Sequence, residues 1–270
     1  PVGHVEAGLR TRDLYAPHPE EGNRRMIAAI ADMHFAPTPR AAGALRSEGI
    51  TSSSIYLTGN TVVDALLAMR ARLAREPDLA GPARDILSER GSRHLLVVTC
   101  HRRESFDAAP EIAAALRALA ARPDVLIALP LHPNPAIRRP LLQALADVPN
   151  VRLLEPLGFA PFVALLSVAR LVLTDSGGVQ EEAPVLGVPA LVLRDATERP
   201  EGVEAGTARL VGTRRQRIIA EVCRLLDHPD AHARMARAHS PYGDGRAAER
   251  IANIIASAHG YAETAAASAE

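Results

Sequence analysis

Lysine is absent from the 270 residues, so all 31 basic side chains are Arg. A P-loop lysine, a Schiff-base lysine and a lysine general base are therefore excluded. Tryptophan is absent too, and four Phe and four Tyr are too few for the stacking platforms of single-strand nucleic-acid binders. The 31 basic residues face 31 acidic ones, so the basic excess of a phosphate-neutralising protein is missing and nucleic acid is not an expected partner. Only two cysteines occur, Cys100 and Cys223, far apart in sequence. That pattern gives neither a disulfide framework nor cysteine-based metal spacing, and it fits a reducing, cytoplasmic setting. No apolar run reaches the roughly 18 residues of a membrane span, and no charged-then-apolar leader opens the chain; no membrane partner is expected. HExxH, CxxC, GxSxG and EF-hand patterns are missing as well, so no metal is expected.

What is present is an alternation. From residue 94 onward, short apolar runs at 94–99, 125–131, 151–154, 171–175, 190–193 and 208–211 read as strands buried on both faces. Helically spaced segments at 111–121, 137–146, 161–168 and 214–226 lie between them, the signature of a doubly wound α/β sheet. The first part repeats the alternation, with strands at 3–7, 34–37 and 55–58 and helices at 20–31, 40–48 and 62–73. Three strands make half of such a sheet. The stretch 75–93, rich in Pro, Gly and charge, reads as a surface connection, and a strand pattern ends at Gly59. The histidines His228, His232, His239 and His259 read as polar helix surface.

Three constellations can carry chemistry. In Leu171-Val-Leu-Thr-Asp175-Ser176-Gly177-Gly178-Val179-Gln180-Glu181-Glu182 a strand runs into small residues and a helix start. Two glycines let a ligand approach the backbone, and the free N–H groups of a first helical turn suit a phosphate; an ordinary capped turn is the alternative. The spacing is not GxGxxG, so no nicotinamide or flavin cofactor is expected. Glu182, one turn in, suits a ribose diol. In the second, a strand ends in Cys100-His101-Arg102-Arg103-Glu104, at the carboxyl edge where open α/β sheets bind ligands. An imidazole there can move protons and a guanidinium can hold a diphosphate, while a solvated Arg–Glu loop is the alternative. The third is His4-Val-Glu6-Ala-Gly-Leu-Arg10-Thr with Pro17-His18-Pro19-Glu20-Glu21. Glu6 ends a strand and Glu20 opens a helix, positions from which two acids can converge, although first-turn acids also simply complement the helix dipole. His132 follows a strand and reads equally as turn or ligand.

Taken together, His4-Val-Glu-Ala-Gly-Leu-Arg-Thr, Pro19-Glu-Glu-Gly-Asn-Arg, Thr58-Gly-Asn-Thr-Val-Val-Asp-Ala-Leu, His101-Arg-Arg-Glu-Ser, Leu131-His-Pro-Asn-Pro, Thr174-Asp-Ser-Gly-Gly-Val-Gln-Glu-Glu-Ala-Pro and Arg194-Asp-Ala-Thr-Glu-Arg-Pro-Glu resemble the bacterial non-hydrolysing UDP-N-acetylglucosamine 2-epimerases, over residues 1–257. The resemblance implies two Rossmann-like doubly wound domains facing a cleft, in the glycosyltransferase-B-like arrangement, with the first domain incomplete. It divides the chain into residues 1–59, the end of the first domain; 60–245, the UDP-binding domain; 246–261, a helix returning to the first domain; and 262–270, a frayed tail. It implies an isomerase that interconverts UDP-N-acetylglucosamine and UDP-N-acetylmannosamine for surface polysaccharides. The route is elimination of UDP to 2-acetamidoglucal and re-addition, in a cytoplasmic homodimer without cofactor. Carried over by matching, Glu6, Glu20 and His101 are catalytic, with Glu6 and His101 also touching substrate. Leu157 and Phe162 meet the uracil, Ser176, Gly177 and Gly178 the phosphates, and Glu182 the ribose, with Arg199 also on the nucleotide. Arg102 and His132 belong to a second, activating UDP-N-acetylglucosamine site. The family's first strands, a Lys and an Arg near its start, and the Asp of its His-Gly-Asp-Thr strand end have no counterpart here. Alternatives are a UDP-sugar-binding chain without turnover, a glycosyltransferase of the same fold, and a hydrolysing epimerase.

Overall fold

The structure, a computed structural model, describes residues 1–15, 18–102, 106–237 and 240–258. The expected tail at 262–270, His239, His259, Pro17 and the run Arg103, Glu104 and Ser105 lie outside the described residues. In chain order the elements begin β1 (Gly3–Val5), α1 (Glu20–Ile30), β2 (Met33–Ala36), α2 (Pro39–Ser47), β3 (Ile55–Leu57), α3 (Thr61–Arg75) and α4 (Ala83–Arg90). They continue β4 (His94–Thr99), α5 (Ala109–Ala120), β5 (Val125–Pro130), α6 (Pro135–Leu145), β6 (Val151–Leu154), α7 (Phe159–Ser167) and β7 (Leu171–Thr174). The last are α8 (Gly177–Val185), β8 (Ala190–Val192), α9 (Pro200–Glu204), β9 (Ala208–Leu210), α10 (Arg215–Asp227), α11 (Pro229–Arg237) and α12 (Ala247–Ala258).

Two compact units result, one of Pro1–Leu67 with the segment from Pro241 onward, the other of Ala68–Ser240. The division falls inside α3, past the strand end at Gly59. The first turns of α3 go with the first unit because they are bonded to its C-terminal segment. The Asn60 N–H donates to the Tyr242 carbonyl at 2.8 Å, and the Asp64 carboxylate accepts the Ala247 and Ala248 N–H groups, capping α12.

The second unit holds a six-stranded parallel sheet in the order β6-β5-β4-β7-β8-β9. Chain order therefore reverses between β4 and β7, the doubly wound arrangement whose ligands bind at the carboxyl edge of that reversal. Alternation along β4 explains why its run is apolar throughout. Leu96 and Val98 pack with Ile112, Leu116 and Val222 on one face, Leu95 and Val97 with Leu126, Leu165 and Val172 on the other. The expected connection at 75–93 instead contains α4 and a 3-10 turn at Pro77–Ala80. Only Ala83 and Ile86 of α4 are buried, too sparse a stripe to show against its charged residues. His232 also departs from expectation: the buried face of α11 brings its Nε2 to 2.7 Å from the Arg170 carbonyl, and burial lowers its pKa.

The first unit holds a three-stranded parallel sheet, β1-β2-β3. Ala7, Leu9, Ala41, Ala42, Leu45 and Ile55 form one apolar cluster, while Ile251 of α12 packs with Met33 and Phe35 in another. Among the described residues β1 pairs only with β2, and the large apolar side chains Val5, Tyr15, Met26 and Ile30 of this unit are exposed. No helix among the described residues is long and apolar enough to cross a membrane, and none of their His, Cys, Asp and Glu side chains form a group of three able to hold a metal.

Candidate active site

In the second unit the ends of β4 and β7 are tied together at the reversal of strand order. The Thr99 and Thr174 hydroxyls lie 2.6 Å apart, and Thr174 Oγ1 accepts the Ser176 N–H at 2.9 Å. Asp175, fully buried, accepts the His101 and Arg102 N–H groups on Oδ2, each at 2.9 Å, and its Oδ1 lies 3.0 Å from His101 Nδ1. The His101 ring is partly exposed and faces that of His132, with centroids 6.5 Å apart; His132 Nδ1 accepts the Asn134 N–H. His132 and His101 are thus neighbours because β4 and β5 pair in parallel and bridge once more at Cys100 and Leu131. Burial, followed by the Asp175 charge, pushes the Cys100 thiol well up, which makes it an inert packing group.

From Ser176 the chain enters α8. The Ser176 hydroxyl caps the helix by accepting the Val179 N–H, so Gly177 and Gly178 open the first turn, where N–H groups have no intrahelical acceptor. A Cβ on Gly177 would stand 2.9 Å from Glu198 Oε1, 3.6 Å from an Arg102 guanidinium nitrogen and 3.7 Å from Arg199 Cζ. On Gly178 it would meet nothing nearer than Ser176 Oγ at 3.9 Å. One glycine therefore admits a wall of charged side chains and the other leaves open space over the helix end, the shape an anion needs. Glu182, further along α8, is partly buried, and burial raises its pKa.

The charged wall is a network the sequence did not reveal. Arg102 and Arg194 donate to opposite oxygens of Glu198 at 2.7 and 2.6 Å, and Arg199 donates through Nε to buried Glu181. Buried Gln180 bridges the Ser176 carbonyl to the Thr197 hydroxyl, which in turn accepts the Arg199 N–H. Burial alone would push the Glu198 carboxyl up, but the Arg194 charge and then Arg102 hold it down at about 2. A carboxyl lowered on folding stabilises the fold above its unfolded value of about 4.5 and loses that contribution as pH falls toward 2. Urea titrations from pH 5 to 2 should show up to about 3 kcal/mol lost in this window, and Glu198→Gln should flatten the curve; an unchanged slope would refute the network.

Leu157 and Phe162, after β6 and in α7, pack partly buried on the apolar face shared by Leu95 and Val97. His101, Arg102, His132, the Ser176–Gly178 turn and Arg199 are therefore gathered within one unit.

Glu6 and Glu20 lie in the other unit. Glu6 follows β1 with φ at +59°, the left-handed region that side chains resist, and its carboxylate is exposed. Gly8 behind it has φ at +88°, and a Cβ there would strike the Ala41 carbonyl at 2.1 Å, so only glycine lets the chain pass α2. Arg10 is anchored bidentately on Glu48, both bonds at 2.8 Å. Of the two first-turn acids, Glu21 is the structural one. It is fully buried and accepts the Thr11 and Arg12 N–H groups, each at 3.1 Å, and Arg25 Nε at 3.2 Å. Burial opposes its charge, yet these bonds win and lower its pKa. Glu20, one residue earlier, is left exposed.

The family profile described as UDP-N-acetylglucosamine 2-epimerase matches residues 1–256. The chain belongs to the UDP-N-acetylglucosamine 2-epimerase family. It is 50% identical over 258 residues to the UDP-N-acetylglucosamine 2-epimerase of Escherichia coli K12, covering 94% of this chain and 69% of that protein. A probable UDP-N-acetylglucosamine 2-epimerase of Ralstonia nicotianae gives the same identity and coverage. Among solved structures, the Neisseria meningitidis UDP-GlcNAc 2-epimerase bound to UDP-GlcNAc matches at TM-score 0.88 and 42% identity, over 95% of this chain and 70% of that one. The Methanocaldococcus jannaschii epimerase in complex with UDP-GlcNAc and UDP matches at 0.79 and 34%, over 95% and 69%. The chain thus has the fold of these epimerases, an isomerase family, and spans about 70% of their length.

Proposed function

We propose that this epimerase-family chain interconverts UDP-N-acetylglucosamine and UDP-N-acetylmannosamine, supplying precursors of bacterial surface polysaccharide. The observation that carries the nucleotide part is the helix end at Gly177 and Gly178, at the reversal of strand order and walled by Glu198 with Arg102 and Arg199. In the reaction a base removes the C2 proton, the C1–O bond breaks with its electron pair leaving on UDP, and a C1=C2 bond forms in 2-acetamidoglucal. UDP then adds back at C1 while C2 takes a proton on the opposite face. Glu6 and Glu20, exposed carboxylates, serve the C2 proton, and His101 serves the leaving diphosphate with the α8 amides. Glu182 holds the ribose and Leu157 and Phe162 flank the uracil. Arg102 and His132, beside His101, hold the activating nucleotide, in a cytoplasmic homodimer.

A second reading, UDP-sugar binding without turnover, is favoured by one contrast. The nucleotide residues occupy a six-stranded unit, whereas the carboxylates belong to a unit with three strands among the described residues. Proton NMR of the chain with UDP-N-acetylglucosamine in deuterated water separates the two. Epimerisation predicts deuterium at C2 together with the manno epimer. Broadened nucleotide resonances without either signal would leave binding alone, and no response at all would sink both readings.

A further inference from the structure

We propose that Asp175 is a positioning residue for His101, one buried carboxylate that fixes both the loop carrying the imidazole and the tautomer of its ring. Asp175 follows β7 directly and reaches across to the end of β4, where it accepts the two consecutive N–H groups of His101 and Arg102 and faces His101 Nδ1 at 3.0 Å. Its own N–H bonds back to the Thr99 carbonyl at 3.4 Å, so the two strand ends hold each other. An ionised carboxylate is an acceptor only. Nδ1 must then carry a proton, and the neutral ring keeps its lone pair on Nε2, the nitrogen turned away from Asp175. That nitrogen can take a proton from a group in front of it or, once protonated, return it. Among the described residues, the titratable side chains placed against the ring are Asp175 itself and His132 on the β5 side. The Arg102 guanidinium is engaged by Glu198 and His132 Nδ1 by the Asn134 N–H, so among the described residues Asp175 is the group that meets a ring nitrogen of His101.

The catalytic use of His101 rests on the proposed epimerase reaction; the tautomer does not, and the test keeps them apart. Nitrogen-15 spectra of histidine-labelled protein, assigned with His101→Gln, report which ring nitrogen is protonated in alkaline solution. We expect protonated Nδ1 and bare Nε2 in the unsubstituted chain; bare Nδ1 would overturn the proposal before any variant is made. Asp175→Asn keeps the shape and the acceptor for the two amides but places an N–H donor near Nδ1. It should reverse the tautomer and lower C2 exchange by roughly 10²- to 10⁴-fold through kcat, with KM little changed. Asp175→Asn with an unreversed ring, or with full turnover, would also overturn it. Protonated Nδ1 in a chain that never exchanges C2 would sustain the positioning and count against the reaction instead.

Discussion

Replacing Glu6 by Gly is expected to make the first unit more stable and the chain inactive. Glu6 is held at φ +59°, a conformation that costs a side-chain-bearing residue on the order of 1–3 kcal/mol and costs glycine almost nothing. Glycine gives back part of the gain through its more flexible unfolded chain, so a net stabilisation of about 0.5–1 kcal/mol should appear as a rise of a few degrees in Tm. C2 deuterium exchange should fall by roughly 10²- to 10⁴-fold, the usual worth of a positioned acid or base. Glu6→Ala supplies the control. It removes the carboxylate and keeps the strain, and so should lose exchange equally without the stabilisation. A Gly variant that still exchanges C2, or that melts earlier than Glu6→Ala, would sink the assignment of Glu6 as a strained functional residue.

The largest effect on folding is expected at Glu181. It is nearly fully buried beside Arg199, itself 8% exposed, and the two are bonded through Arg199 Nε. Glu181→Ala takes from the buried Arg199 the carboxylate that accepts its Nε, with Glu198 the farther partner at 4.0 Å, and breaking such a pair from one side costs about 3–5 kcal/mol. Removing both charges is a different matter. Glu181→Met with Arg199→Met replaces a desolvated pair by apolar volume and should recover most of the loss. Arg199 also borders Gly177, so the double variant, although folded, should bind UDP at least about tenfold more weakly, the worth of one charge-assisted hydrogen bond. Urea unfolding and UDP titration calorimetry read the two effects separately. A double variant as unstable as the single one would show that the pair's shape, not its charge, holds α8 and α9.

These residues also show where sequence reasoning reaches and where it stops. The strands β4 and β7 were legible because both faces are buried, so every position is apolar and the run stands out. Ser176-Gly177-Gly178 was legible as a strand-to-helix junction because Ser is a favoured helix cap, and Ser176 does cap α8. Asp175 was not, since an acid after a strand reads as a helix cap; that it reaches His101 depends on β4 and β7 being neighbours, and the strand order, not any local pattern, decides that. Glu198 is 96 residues from Arg102, and no periodicity links them. Glu20 and Glu21 were indistinguishable as letters. The fold separates them by turning one toward the Thr11 and Arg12 amides and the other to solvent. The helix at Ala83–Arg90 escaped because its buried face is two residues wide.

The order β1-β2-β3 repeats, strand for strand, the outer half β7-β8-β9 of the larger sheet, so β1 corresponds to β7 and its side away from β2 to the side on which β7 meets β4. A guest strand laid parallel along that side would end beside Glu6, as β4 ends beside Asp175.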